Sequence, residues 1–198
     1  MGHPAAEEPC HDDACAACRG SSGAVVRFCL RAGHLVVVER RRGVVFVARH
    51  FGIPTASGRF GTVDGTIALD FDRPERSRIR MTIQTASLRT GADLVDGFIK
   101  GQTMLDVAHY PVASFVSQQV ARTGERSLSI TGQLTIRGAS QPVTVIAVAE
   151  SDPAGMRAGG TLPFHASASF SRAAFAIGRE VNIVDDQVEI DIKGVISR

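Results

Sequence analysis

Four cysteines, Cys10, Cys15, Cys18 and Cys29, come nearest to a chemical site in spacing alone. The pattern C-x4-C-x2-C-x10-C, with His11 beside the first, offers ligands of the kind that hold zinc or an iron–sulfur cluster. The last spacing fits no standard template, so no metal and no cofactor is expected. His50, His109 and His165 have no second ligand type at metal spacing and read as hydrogen-bonding or surface residues. Nucleophilic chemistry is as poorly provided for: there is no G-x-S-x-G elbow and no cysteine after Cys29. Gly58, Gly61 and Gly65 are spaced as strand and turn glycines, not as a phosphate-binding loop. The expectation is a protein that is not an enzyme.

What must position any other site is a single domain. A chain of 198 residues with 44% hydrophobic and 21% charged content can bury one substantial core. A formal net charge of +2 is too small to imply a nucleic-acid partner, and Arg40-Arg41-Arg42 reads as a solvated loop. No segment approaches the roughly 20 apolar residues that cross a bilayer; the best, 24–38, is broken by Arg27, Arg31 and His34. Residues 1–33 lack an apolar period and read as a flexible, Cys-rich leader dispensable for the fold. They show no evident secretory signal, so the expected location is cytoplasmic, or periplasmic if the true start lies upstream.

From His34 the texture changes. Runs rich in Val, Ile, Thr and Phe recur every ten to fifteen residues between Gly, Pro, Asp and Ser, which predicts an antiparallel all-β domain over 34–198. Strands are expected near 35–39, 43–51, 58–71, 77–86, 112–121, 126–137, 142–150, 161–171 and 186–196. Phe164, Ala166, Ala168 and Phe170 share one phase, as do Val188, Ile190 and Ile192, so each strand has one apolar face. Closure into a barrel removes the exposed edges.

One stretch breaks the alternation. Leu94, Val95, Phe98 and Ile99 follow a helical period and predict a short amphipathic helix over about 92–100, with a turn carrying Met104 and Leu105. Such an insertion has apolar surface to cover, and the barrel mouth is the expected place, with Phe98, Ile99, Met104 and Leu105 turned inward as a lid. Phe60, Ile83, Phe115, Leu134, Ile136, Phe164, Phe170 and Phe175 are expected along a central channel, because most of them occupy the apolar phase of a strand. With no Trp, one Tyr and small inward residues at Ala113, Ala147, Ala166 and Ala168, that channel is expected to keep open space. The segment 153–160 reads as a mobile hairpin loop.

Six ordered blocks carry a resemblance to a known family. They are Phe46-x-x-x-His50-Phe51-Gly52 with Gly58-Arg59-Phe60; Ser87-x-x-Thr90-Gly91; Met104-Leu105-Asp106 with Tyr110-Pro111; Phe115-x-Ser117; Thr131-Gly132-x-Leu134-Thr135-Ile136-x-Gly138; and Ser171-Arg172-x-x-Phe175. From about His34 to Arg198 the chain resembles the YceI-like family, lipocalin-like barrels described as polyisoprenoid-binding proteins. The resemblance implies a lipocalin-like antiparallel β-barrel that holds a long lipid, such as a polyisoprenoid or isoprenoid-quinone-like chain, as a carrier or sink. The tail would lie in the apolar channel with a polar head near the mouth. Asp96 matches the acidic residue that starts the family's Asp-x-His-Leu segment; Phe98 stands in place of the histidine and Ile99 in place of the leucine. Val38-Glu39 replaces the usual Asp-Pro after the first strand. A second reading, binding or hydrolysis of a fatty-acyl amide or ester in the same pocket, loses its obvious base with that histidine. The expected partner is thus a long-chain lipid, with no nucleic acid, no membrane-spanning segment and a homodimer left open.

Overall fold

The structure, a computed structural model, describes residues 37–38, 43–70, 72–153 and 160–197. The leader, the four cysteines, Arg40-Arg41-Arg42 and most of the 153–160 loop lie outside the described residues. The strands are β1 (Val37–Val38), β2 (Val44–His50), β3 (Ile53–Phe60), β4 (Val63–Ala68), β5 (Arg78–Gln84), β6 (Leu88–Arg89), β7 (Val112–Arg122), β8 (Ser127–Ile136), β9 (Ala139–Ala149), β10 (Leu162–Ser171) and β11 (Gln187–Ser197). They form one antiparallel sheet in the order β4-β5-β7-β8-β9-β10-β11-β2-β3-β6. β1 pairs with β11 and lies alongside β4, so the curled sheet comes round on itself as a barrel.

Alternation does what the sequence requires of it. Phe164, Ala166, Ala168 and Phe170 face Gly194, Ile192, Ile190 and Val188 across the β10–β11 ladder, on the inner side. Their neighbours Ser167 and Ser169 stand opposite Asp191 and Glu189 on the outer side. The single expected strand over 58–71 divides. Its first part pairs with β2 and its second with β5, and the chain bends at Gly61-Thr62 because no straight strand could reach both partners. In return, Gly61 donates to Ser87 and Gln84 donates to the Thr62 carbonyl across the bend.

Two bulges interrupt the ladders. In β7 the register passes from Ser117↔Gly132 to Gln119↔Thr131, leaving Gln118 as an extra residue. A one-residue insertion reverses the side-chain phase beyond it. Ala113 and Phe115 therefore face inward before the bulge and Val120 after it, where Val120 is 2% exposed. The buried Ser117 hydroxyl accepts the Ile79 backbone N–H at 2.9 Å beside this bulge. The second bulge makes Thr55 the extra residue of β3, its hydroxyl donating to the Ala48 carbonyl.

The helix, α1 (Asp93–Lys100), occupies the predicted span. Asp93 and Asp96 in its first turn and Lys100 in its last match the helix dipole. It buries Ile99 into a cluster with Leu88, Met104, Leu105, Ala113, Ile136, Phe175 and Ile177.

Candidate functional site

The inward side chains do not fill the barrel. They enclose a cavity of about 910 Å³, within the range of ligand pockets. It runs from α1 and the 183–184 loop at one end to the β7–β8 turn, with Arg122 and Arg126, at the other. Its wall is almost wholly carbon, because nine strands, β2 to β5 and β7 to β11, turn apolar side chains to it. Ala113, Ala147, Ala166 and Ala168, the small inward residues, all border the space.

Of the thirteen residues singled out from sequence, Phe60, Ile83, Phe98, Ile99, Met104, Leu105, Phe115, Leu134, Ile136, Phe164 and Phe170 line this cavity. Two stand elsewhere. Phe175 is buried behind the wall, its ring edge-on to Phe170 at 5.3 Å. It follows β10 in a 3-10 turn, Ala173–Phe175, where strand phase no longer applies. Asp96 is also buried but points back to its own loop, accepting the Thr90 hydroxyl and the Thr90 backbone N–H, each at 2.6 Å. The hydroxyl bond, then the backbone bond, hold its carboxyl below the usual carboxylate range against the cost of burial. Arg89 stands 3.7 Å from the second oxygen. Asp96 therefore anchors the β6–α1 connection and is not part of the cavity wall.

Lid closure is partial. Ile99, Met104 and Leu105 turn in and are buried, whereas Phe98 borders the cavity half-exposed. Helical geometry separates adjacent residues by about 100°, so an eight-residue helix that seats Ile99 leaves Phe98 at the rim. Leu94 at 89% exposure and Ile183 at 71% border the same mouth. The β2–β3 hairpin tip joins them, with Phe51 86% and Ile53 68% exposed. Phe51 and Gly52 donate their N–H groups to the Asp185 carboxylate, and Asp185 donates its own to the Arg49 carbonyl at 2.7 Å. Along this part of β3 no described strand pairs on the far side, and Thr55 and Ala56 border the opening.

One buried cation shapes that mouth. Arg172 donates from Nε to the Asp185 carbonyl at 3.1 Å, and from Nη1 to Ile177 at 3.0 Å and to Gly178. Nη2 donates to the Val181 and Val184 carbonyls at 2.6 and 3.0 Å. Five carbonyls on one guanidinium draw 177–185 into a single loop. Arg172 also accounts physically for the Ser171-Arg172-x-x-Phe175 block: Phe175 and Ile177 donate to the Arg172 carbonyl while its side chain gathers the residues that follow. The Ser171 hydroxyl, together with the Ala173 N–H and the Arg172 charge, holds Asp186 below the usual carboxylate range at the same corner. Nothing in the local pattern around Arg172 signals a charge turned inward.

Each barrel histidine stands by a carboxylate: His50 near Asp185 at 3.8 Å, His109 on Asp106 at 2.8 Å and His165 on Asp191 at 3.0 Å. Among the described residues no three His, Cys, Asp or Glu side chains gather where they could hold a metal. Among the same residues no helix is long and apolar enough to cross a membrane.

Known proteins share this architecture. A Pseudomonas savastanoi protein, named only as a UPF0312 protein, is 40% identical over 117 residues, 59% of this chain and 61% of that relative. The chain thus spans less than two thirds of that relative's length. A Pseudomonas fluorescens UPF0312 protein is 34% identical over 149 residues, 74% of this chain and 77% of its own. Among solved structures, Burkholderia cenocepacia BcnA superposes with a TM-score of 0.70 at 28% identity, covering 78% of this chain and 95% of that one. A Saccharophagus degradans polyisoprenoid binding domain, implicated in plant cell wall breakdown, superposes with a TM-score of 0.61 at 14% identity over 83% and 98% of the two chains. The YceI-like domain model matches residues 36–196, from β1 to the last strand, and with that match this chain belongs to the YceI-like domain family.

Proposed function

We propose that this chain binds one long apolar lipid of isoprenoid type along the barrel and serves as a carrier or sink, without catalysis. The observation that carries the reading is the carbon-lined channel of about 910 Å³, opening among exposed apolar side chains. Burying about ten CH₂ equivalents there would contribute on the order of 8 kcal/mol before association costs, enough for useful affinity. The name of the Saccharophagus degradans domain, a polyisoprenoid binder of the same fold, supports the ligand class.

Organic extraction and native mass spectrometry of protein from its own source, with Leu134→Trp beside the wild type, test the reading. Leu134 lies midway along β8 on the cavity wall. In an open channel the indole takes the ligand's space, so bound lipid falls while the variant still unfolds cooperatively at a similar midpoint. A wild type free of lipid, with Leu134→Trp destabilised by about 1–3 kcal/mol from overpacking, would mean a filled barrel instead.

A further inference from the structure

Three aromatic rings lie flat against the channel wall where they could have stood across it, and each lies over a glycine of the neighbouring strand. Phe46 of β2 faces Gly58, and Phe164 of β10 faces Gly194, as direct cross-strand partners. Phe115 of β7 lies diagonally over Gly132 of β8. A Cβ added at Gly58 would stand 2.5 Å from the Phe46 ring, one at Gly132 2.6 Å from the Phe115 ring, and one at Gly194 2.6 Å from the Phe164 ring. Carbon atoms do not pack closer than about 3.5 Å without repulsion. All three rings border the cavity.

We propose that Gly58, Gly132 and Gly194 set the bore of the channel, and so select for a lipid chain thick enough to carry methyl branches over a straight one. In this pose each ring takes the place that the neighbour's Cβ would occupy, so a side chain there and a ring lying down exclude one another. Any other residue at these positions lifts the ring into the lumen, and the narrowing falls on the adjacent pairs β10–β11 and β2–β3 and, apart from them, on β7–β8. A straight chain could still thread past a raised ring. A methyl-branched chain meets it at each branch.

The cleanest position is Gly194, since the three atoms nearest its added Cβ all belong to the Phe164 ring, whereas Gly58 and Gly132 also approach backbone oxygens. The inference rests on the lipid-binding reading, and the probes are geranylgeraniol and hexadecanol, whose main chains are equally long and of which only the first is branched. Binding of each to the full chain is measured by native mass spectrometry or by displacement of a fluorescent fatty acid. In Gly194→Ala, affinity for geranylgeraniol should fall about tenfold or more relative to that for hexadecanol, the scale on which one mismatched methyl group in an apolar pocket is felt. Adding Phe164→Ala to Gly194→Ala removes the ring that the methyl displaces, and the wild-type ratio should return. If Gly194→Ala does not fold, Phe164→Ala alone, which clears the ring, must leave the preference for the branched chain intact or raise it. An unchanged ratio in Gly194→Ala, or a preference lost in Phe164→Ala, overturns the bore inference while leaving lipid binding in place. A wild type that binds neither alcohol overturns the lipid reading itself.

Discussion

Around Ile67, Ile79, Val120 and Ile130 the core is mostly strand, with one short turn, 69–77, against it, whereas around Leu88, Ile99, Met104 and Phe175 a helix and irregular turns pack onto the strands. The first region is held by period-two alternation and backbone ladders, which any sequence with the right pattern can supply. The second has no ladder to rely on, and its backbone is held by particular polar side chains instead: Arg172 on five carbonyls, Asp96 on Thr90, and Arg137 on the carbonyls of Ala176 and Gln102. One end of the channel is thus a repeating wall and the other an assembled mouth. The mouth is where the most exposed apolar residues, Leu94, Phe51, Ile183 and Ile53, and the two carboxyls held below their usual range are found.

Breaking the mouth at Arg172 has the largest expected effect. Arg172→Met fills a similar volume but leaves buried carbonyls of 177–185 without donors, at about 1–3 kcal/mol for each that water cannot reach. A total loss of about 3 kcal/mol or more is expected by denaturant unfolding, with the 177–185 amides losing hydrogen-exchange protection before the strand ladders do. Equal loss of protection in β8 and β9 would mean that the two regions are one cooperative unit.

In the strand wall the sharper test is the β7 bulge. Val116 and Val120 share a phase in the sequence, yet Val116 is 39% exposed and Val120 2%. Val120→Ala should cost about 1.5–3 kcal/mol, as burial of a valine side chain predicts, and Val116→Ala no more than about 0.5 kcal/mol. Similar costs for the two would place the extra residue elsewhere.

The smallest effect is the dependence of the mouth on pH. Asp96 is held below the usual range, so its contribution is complete above the unfolded carboxylate value, near pH 4, and is lost as pH falls through the lower folded value. Asp96→Asn should therefore lower the Tm at neutral pH, and the gap to wild type should close as the medium is acidified. A gap that stays constant down to pH 3 would show that the carboxylate charge does not contribute.

The phase of Phe164, Ala166, Ala168 and Phe170, the facing phase of Val188, Ile190 and Ile192, and the helix carrying Leu94, Val95, Phe98 and Ile99 were all legible in the sequence, because each is a repeat within a few residues of chain. Eleven of the thirteen selected residues reach the cavity for the same reason. Phe175 does not, since it lies past the end of β10, where alternation stops carrying direction, and Asp96, placed by the family resemblance and not by phase, turns from α1 to Thr90. Tertiary structure alone decided the division of 58–71 between two partners, the reversal of phase after Gln118, the five carbonyls gathered by Arg172, and the rings laid over Gly58, Gly132 and Gly194. Periodicity is a property of neighbouring residues, whereas a bulge, a buried guanidinium and a ring resting on a glycine each depend on a partner from another part of the chain, which only the folded sheet brings within reach.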